Sequence, residues 1–186
     1  MPDKRRLQDA FMGPFIVNAD ALTDYMMDKW REEAEEKPIN LNTTLSAAFN
    51  KSLWQLVDAA CIASGLSAKG QRKQKTAALV ARLTDMNHLT QLIAGLTPQG
   101  RQILRRTLDA GGWIKLGELT REFGSQDGDG LFWNEQPPKS HIGQVRARGL
   151  LFVGKAGIGG RNYKVAVIPK ELREMLASAL GDEQAT

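Results

Sequence analysis

Apolar residues recur at helical spacing along most of this chain. Leu22, Tyr25, Met26, Met27 and Trp30 follow roughly an i, i+3, i+4, i+8 pattern and predict a helix over 19–36. Asn18 or Asp20 is placed to cap it, and Lys37-Pro38 ends it. The preceding residues, with Gly13-Pro14 and no period, read as an arm. Leu45, Phe49, Leu53, Leu56, Val57 and Ala60 predict a second helix over 45–64, stopped by Gly65. A third carries Leu79, Val80 and Leu83, with a short continuation through Leu89, Leu92 and Ile93.

From residue 96 the punctuation is denser. Thr97 is a cap and Pro98 fits a first helical position, so a helix runs through Ile103, Leu104 and Leu108 to Gly111-Gly112. Trp113–Lys115 reads as a short strand, 116–123 as a helix closed by Gly124, and 125–136 as a long loop whose Leu131, Phe132 and Trp133 are expected to pack inward. Pro137-Pro138 precedes a helix over 139–148, stopped by Gly149. Two β-rich runs, 150–153 and 163–168, flank a glycine-bearing turn and predict a hairpin. Pro169 opens a last helix with Leu172, Met175, Leu176 and Leu180 on one face. The expected fold is mainly α with a small β-hairpin. The expected division is an arm and acidic helix (1–40), a basic helical region (41–94), a helix-and-hairpin domain (95–180) and a tail (181–186).

Composition changes this picture little, but charge distribution changes it more. The net charge is +4 over 186 residues. Between Asp20 and Lys37 seven acids face three bases. From Ala59 to Thr84 there are five bases and no acid, and from Gln136 to Lys170 seven bases and no acid. Acid-free basic blocks beside an acidic one predict a polarised surface that attracts polyanions.

The element order over 96–168, with the segment SHIGQVRARGLLFVGKAGIGGRNYKVAVI, resembles the winged helix-turn-helix family. The resemblance implies a recognition helix over 138–148 that enters the major groove of DNA, and a wing over 154–161 that lies along the backbone. On the helix, Ile142, Val145 and Gly149 are expected to face the core, and Ser140, Gly143, Gln144 and Ala147 to face outward. Small residues there would let DNA approach closely. Gln144 suits an adenine edge, and Arg148 a guanine or a phosphate. Lys139 and Ser140 suit phosphate at the helix start, Arg146 adds charge, and Lys155, Arg161 and Lys164 suit phosphates beside the wing. Winged helices also dock proteins, so an adaptor for a polymerase, helicase or nuclease subunit is the alternative.

A second segment, GLSAKGQRKQKTAALVARL (65–83), resembles the SAP helix–loop–helix DNA-binding motif in Gly65-Leu66, Gly70, Leu79, Arg82 and Leu83. It places Lys69, Arg72, Lys73 and Lys75 together as a further phosphate site. The bland reading is a basic loop between core helices. The acidic helix has three readings: a solvated helix with one packed face, a docking or homodimer helix through 19–37, or a mask over the basic surface.

Enzyme chemistry and cofactors are not expected. The two histidines, His88 and His141, lack zinc spacing, and His141 reads as a packing or recognition-helix residue. The 154–160 glycines lack the strand–loop–helix setting of a nucleotide site. Asp127-Gly128-Asp129-Gly130 lacks the closing Glu of a calcium loop. Cys61 in its apolar run reads as a small buried hydrophobe. No segment spans a membrane or resembles a signal peptide, so a cytoplasmic protein, nucleoid-associated if it binds DNA, is expected. DNA is the expected partner, with RNA an open alternative.

Overall fold

Capping residues and glycines set the elements of the computed structural model, which describes residues 19–182. The expected arm, the Asn18 cap and residues 183–186 of the tail lie outside the described residues. In chain order the elements are α1 (Ala19–Ala34), α2 (Leu45–Lys51), α3 (Trp54–Ala63), α4 (Arg72–Leu83), α5 (Met86–Ala94), α6 (Pro98–Asp109), β1 (Trp113–Lys115), α7 (Leu116–Phe123), α8 (His141–Ala147), β2 (Phe152–Ile158), β3 (Arg161–Val167) and α9 (Lys170–Asp182). The fold is mainly helical with one small antiparallel sheet, as the pattern predicts. Thr97 caps α6 by accepting from the Gly100 amide at 3.1 Å. Asp85 caps α5 through the His88 amide at 2.7 Å, which separates α5 from α4.

The expected 45–64 helix is two helices. Ser52 and Leu53 are extended, with ψ of 155° and 146°. The break is held from outside, because Arg72 Nη1 donates to the carbonyls of Phe49, Asn50 and Ser52. A cation at these open carbonyls ends α2 and replaces the hydrogen bonds that a continued helix would make.

The sheet has the order β1-β3-β2. Trp113 pairs with Val167, and Ile158 with Arg161 across a two-residue turn. That turn is Gly159-Gly160, with φ of 58° and 80°, values that suit glycine and match the strand twist. Beyond β2 the segment Lys37–Ile39 adds a further edge: the Ile39 amide donates to the Lys155 carbonyl, and the Lys155 amide to the Lys37 carbonyl, both at 2.9 Å. Gly154 permits this approach, since a Cβ there would lie 2.7 Å from the Ile39 side chain and 2.8 Å from the Lys37 carbonyl.

One apolar core runs from Leu45 to Leu180 without a break at the expected boundary near residue 95. Phe49 of α2 meets Phe152 of β2 edge-on at 5.1 Å, and Gly149, at φ 74°, leaves the space that Phe49 fills. Cys61 is fully buried, and burial pushes its thiol above the ordinary value.

Helix α1 is inverted. Its apolar stripe, Leu22 (46% exposed), Tyr25 (58%), Met26 (44%) and Trp30 (50%), faces outward. Its polar face docks: Arg31 is buried and Asp28 partly so, and Glu35, just past the helix end, is buried beside them. Asp28 accepts from the amides of Gly128 (2.7 Å) and Gly130 (2.9 Å) and from Arg31 at 2.7 Å. Arg31 also donates to the Gly130 carbonyl at 2.8 Å. Burial raises the Asp28 pKa, but these donors outweigh it and hold the carboxyl below its ordinary range.

Candidate nucleic-acid interface

Helix α8 is the element the sequence assigns to groove reading. Ser140 starts it by accepting from the Gly143 amide at 2.9 Å. Ile142 and Val145 face the core as expected. The opposite side, however, is covered by the protein's own chain. Gly143 and Ala147 are buried, Gln144 is half-buried, and no residue of α8 is exposed. Trp133, from the long loop, packs on Ala147 and on Ala59 of α3. Leu131 and Trp133 are buried as expected, and Phe132 is half-buried.

The start of α8 is closed in the same way. The Asp129 carboxylate accepts the backbone amides of Lys139 and Ser140, both at 2.9 Å, and also the Ser140 hydroxyl. A phosphate at this end would meet a carboxylate already in place. Gly143 is small because Asp129 and Pro138 sit against it; a Cβ would lie 2.7 Å from the Pro138 side chain. Its size serves the chain's own loop rather than an approaching duplex.

The cations of this region are largely engaged. Arg146 is 5% exposed and bonds Glu35 at 2.6 Å and Gln126 at 2.7 Å, with Trp133 over its guanidinium. Burial lowers its pKa against the pull of Glu35. Arg146 is therefore a structural cation, not a surface contact. Arg148 donates to the carbonyls of Gln144 (2.9 Å) and Gly95 (3.2 Å), and the Gln144 side chain turns back to the Lys139 carbonyl. On the hairpin, Lys155 pairs with Glu36, and Lys164 lies 3.2 Å from Glu36 and 3.6 Å from Glu35. The Glu36 carboxyl is held below its ordinary value, first by its hydrogen bond from Lys155 and then by that from Lys164. Acidic residues distant in sequence thus neutralise the acid-free block. Among its predicted contacts Lys139 and Arg161 are exposed, and the Lys155 side chain is 39% exposed within its pair with Glu36. His141 Nδ1 sits 3.2 Å from the Thr97 hydroxyl, a packing role.

The second predicted site differs. Lys75 pairs with Asp58 at 2.6 Å and is withdrawn from it. Lys69 and Lys73 are exposed. Arg72 crosses to the end of α2 and there joins residues that the sequence pattern did not single out. Lys37, Lys51 and Arg72 line an open cleft of about 560 Å³ together with Asn50 and Trp54, and no acid is among its lining residues. Neither Lys37 nor Lys51 has a side-chain partner among the described residues, and both are exposed. Trp54 is 49% exposed and meets Phe132 edge-on at 6.1 Å. Trp54 lies off the apolar series 45, 49, 53, 56, 57, 60, and that was the one available signal. Lys37 and Lys51 fall outside both basic blocks.

No family model matches the chain, and no curated protein or solved structure is similar to it at a significant level. Among the described residues, no cluster of histidine, cysteine, aspartate and glutamate is arranged to hold a metal ion, and no helix is long and apolar enough to cross a membrane.

Proposed function

We propose that this protein binds nucleic acid through the cleft between the end of α2 and the start of α4, with Lys69 and Lys73 extending its charge. The order α6–β1–α7–α8–β2–β3 and the β1-β3-β2 sheet support the winged-helix resemblance, but a closed α8 is a poor groove reader. The observation that carries the reading is the acid-free lining of the cleft, where Lys37 and Lys51 stand exposed and unpaired among the described residues. Fixed cations without counter-charges release condensed ions from a polyanion on contact, which favours binding. The test is binding of the full chain to labelled DNA and RNA at two salt concentrations. Lys51→Ala and Lys73→Ala should each weaken binding and flatten its salt dependence. Binding that survives both changes but is lost on Lys155→Ala would return the function to the hairpin.

The outward stripe of α1 favours a second role, docking of a protein partner. Four large apolar side chains on one helix face form a patch of the kind that marks an interaction site. Exposed Asp24 and Glu33 flank it, while Lys29 is paired with Glu32 at 2.8 Å. The occupant that fits is an amphipathic helix that is apolar on one side and basic at its edges. A synthetic leucine/lysine helical peptide should bind the chain but not its Trp30→Ser variant. Equal binding to both, or a concentration-dependent dimer abolished by Trp30→Ser, would reject that occupant.

A further inference from the structure

Resting on the nucleic-acid reading, we infer that the cleft takes a single strand, with Trp54 stacking on an unpaired base while Lys37, Lys51 and Arg72 hold the flanking phosphates. An aromatic ring among cations suits a single strand because every unpaired base offers a face, whereas the bases of a duplex are stacked on one another. A duplex would meet the cations and leave the indole without a partner. Half of Trp54 is open to solvent, and Phe132, edge-on at 6.1 Å, packs against it. The two rings come from α3 and from the 125–136 loop, so the loop that closes α8 also steadies this platform. Arg72 is held by three backbone carbonyls, which fixes its guanidinium at the cleft wall before any ligand arrives. Lys37 and Lys51 remain free to adjust. A rigid ring with one fixed and two mobile cations recognises the base–sugar–phosphate repeat without reading sequence.

The test uses the full chain with fluorescein-labelled oligothymidine and oligouridine of about 12 nucleotides, and a duplex of about the same length, at about 50 mM and about 200 mM salt. Binding is read by anisotropy and by quenching of tryptophan emission. The expected result is tighter binding of both single strands than of the duplex, with quenching. Trp54→Leu should weaken single-strand binding roughly 5- to 100-fold and abolish most of the quenching, while Trp54→Phe restores much of the affinity. Lys51→Ala should reduce the log–log salt slope by about 0.7. Trp54 lies on the surface, and circular dichroism of both variants checks that they fold. Duplex binding as tight as single-strand binding, or full affinity in Trp54→Leu, overturns the single-strand assignment and leaves the nucleic-acid reading standing. Absence of binding to every probe overturns both.

Discussion

Helix α8 with its hairpin and the α2–α4 cleft carry similar sequence credentials and opposite surroundings. Helix α8 and its hairpin come from one basic block with no local acid, and the cleft takes Arg72, with Lys69 and Lys73 beside it, from the other. Around α8 the missing counter-charges arrive from elsewhere: Glu35 and Glu36 from α1 and its end, and Asp129 from the long loop. The lining of the cleft itself holds no acid, although Glu35 lines the adjoining pocket that shares Lys37 and Lys51, and Asp58 takes Lys75 nearby. A run of bases in sequence measures positive charge before folding. What a ligand meets is the remainder after the fold has matched cations with acids. Buried cations demand such matching, because an unpaired one would lose its hydration without compensation. Exposed ones do not, and only these are left for a partner.

The contrast is broken most directly at Arg146. If that residue is structural, Arg146→Ala should destabilise the protein by about 3 kcal/mol, since it leaves the buried Glu35 carboxylate only its longer contacts with Arg31 at 3.4 Å and Lys164 at 3.6 Å, and strips Gln126 of its partner. Chemical denaturation measures this. A near-normal midpoint with weakened nucleic-acid binding would place Arg146 on the working surface instead. Next in size is Asp129→Ala. It removes the acceptor for two backbone amides and a hydroxyl at the start of α8, and a loss of about 2 kcal/mol is expected. Nucleic-acid affinity should stay unchanged. If removing this carboxylate instead creates duplex binding, the start of α8 is a site that Asp129 guards.

Much of the fold was legible because its signals are local. Thr97-Pro98, Gly111-Gly112 and Gly124 each act within a few residues, and the elements they bound stand where the sequence puts them; the hairpin is present too, but its strands run to Ile158 and from Arg161, through most of the 154–160 stretch expected as its turn, because only Gly159 and Gly160 take the turn conformation. The α2–α3 break was not legible, because Arg72, some twenty residues away, makes it. Nor was the inversion of α1. Its apolar spacing predicts a helix correctly, but it does not say which face docks, and here the hydrogen bonds that Asp28 and Glu35 accept and Arg31 donates decide. Of the residues in and beside the proposed cleft, Lys69, Arg72 and Lys73 were legible from charge alone. Lys37, Lys51 and Trp54 were missed because three separate segments bring them together. The expectation for Arg146 failed for the same reason in reverse: its partner lies 111 positions away.

Acid sharpens the comparison by a smaller effect. Asp28 titrates below its ordinary value of 3.8, so its contribution to the docking of α1 is complete above that pH and is lost as pH falls through the lowered folded value. Glu36 is also lowered and shifts in the same direction. Hydrogen exchange should therefore show α1 protected at neutral pH and opening before the core as pH drops below about 3.8, and Asp28→Asn should remove part of that pH dependence.

The smallest expected effect concerns the exposed pairs. Glu36→Gln should leave stability nearly unchanged, since solvent-exposed ion pairs contribute little, yet it releases Lys155 and part of the hold on Lys164. If the cleft is the working site and the hairpin is idle, the freed charges should raise affinity only slightly, at low salt, and equally for single and double strands. Long-range attraction is screened within about 8 Å at physiological salt. A large gain confined to duplex DNA would mean instead that α1 and its acidic end hold a competent wing in check. The contrast between the two regions would then be one of regulation rather than of role.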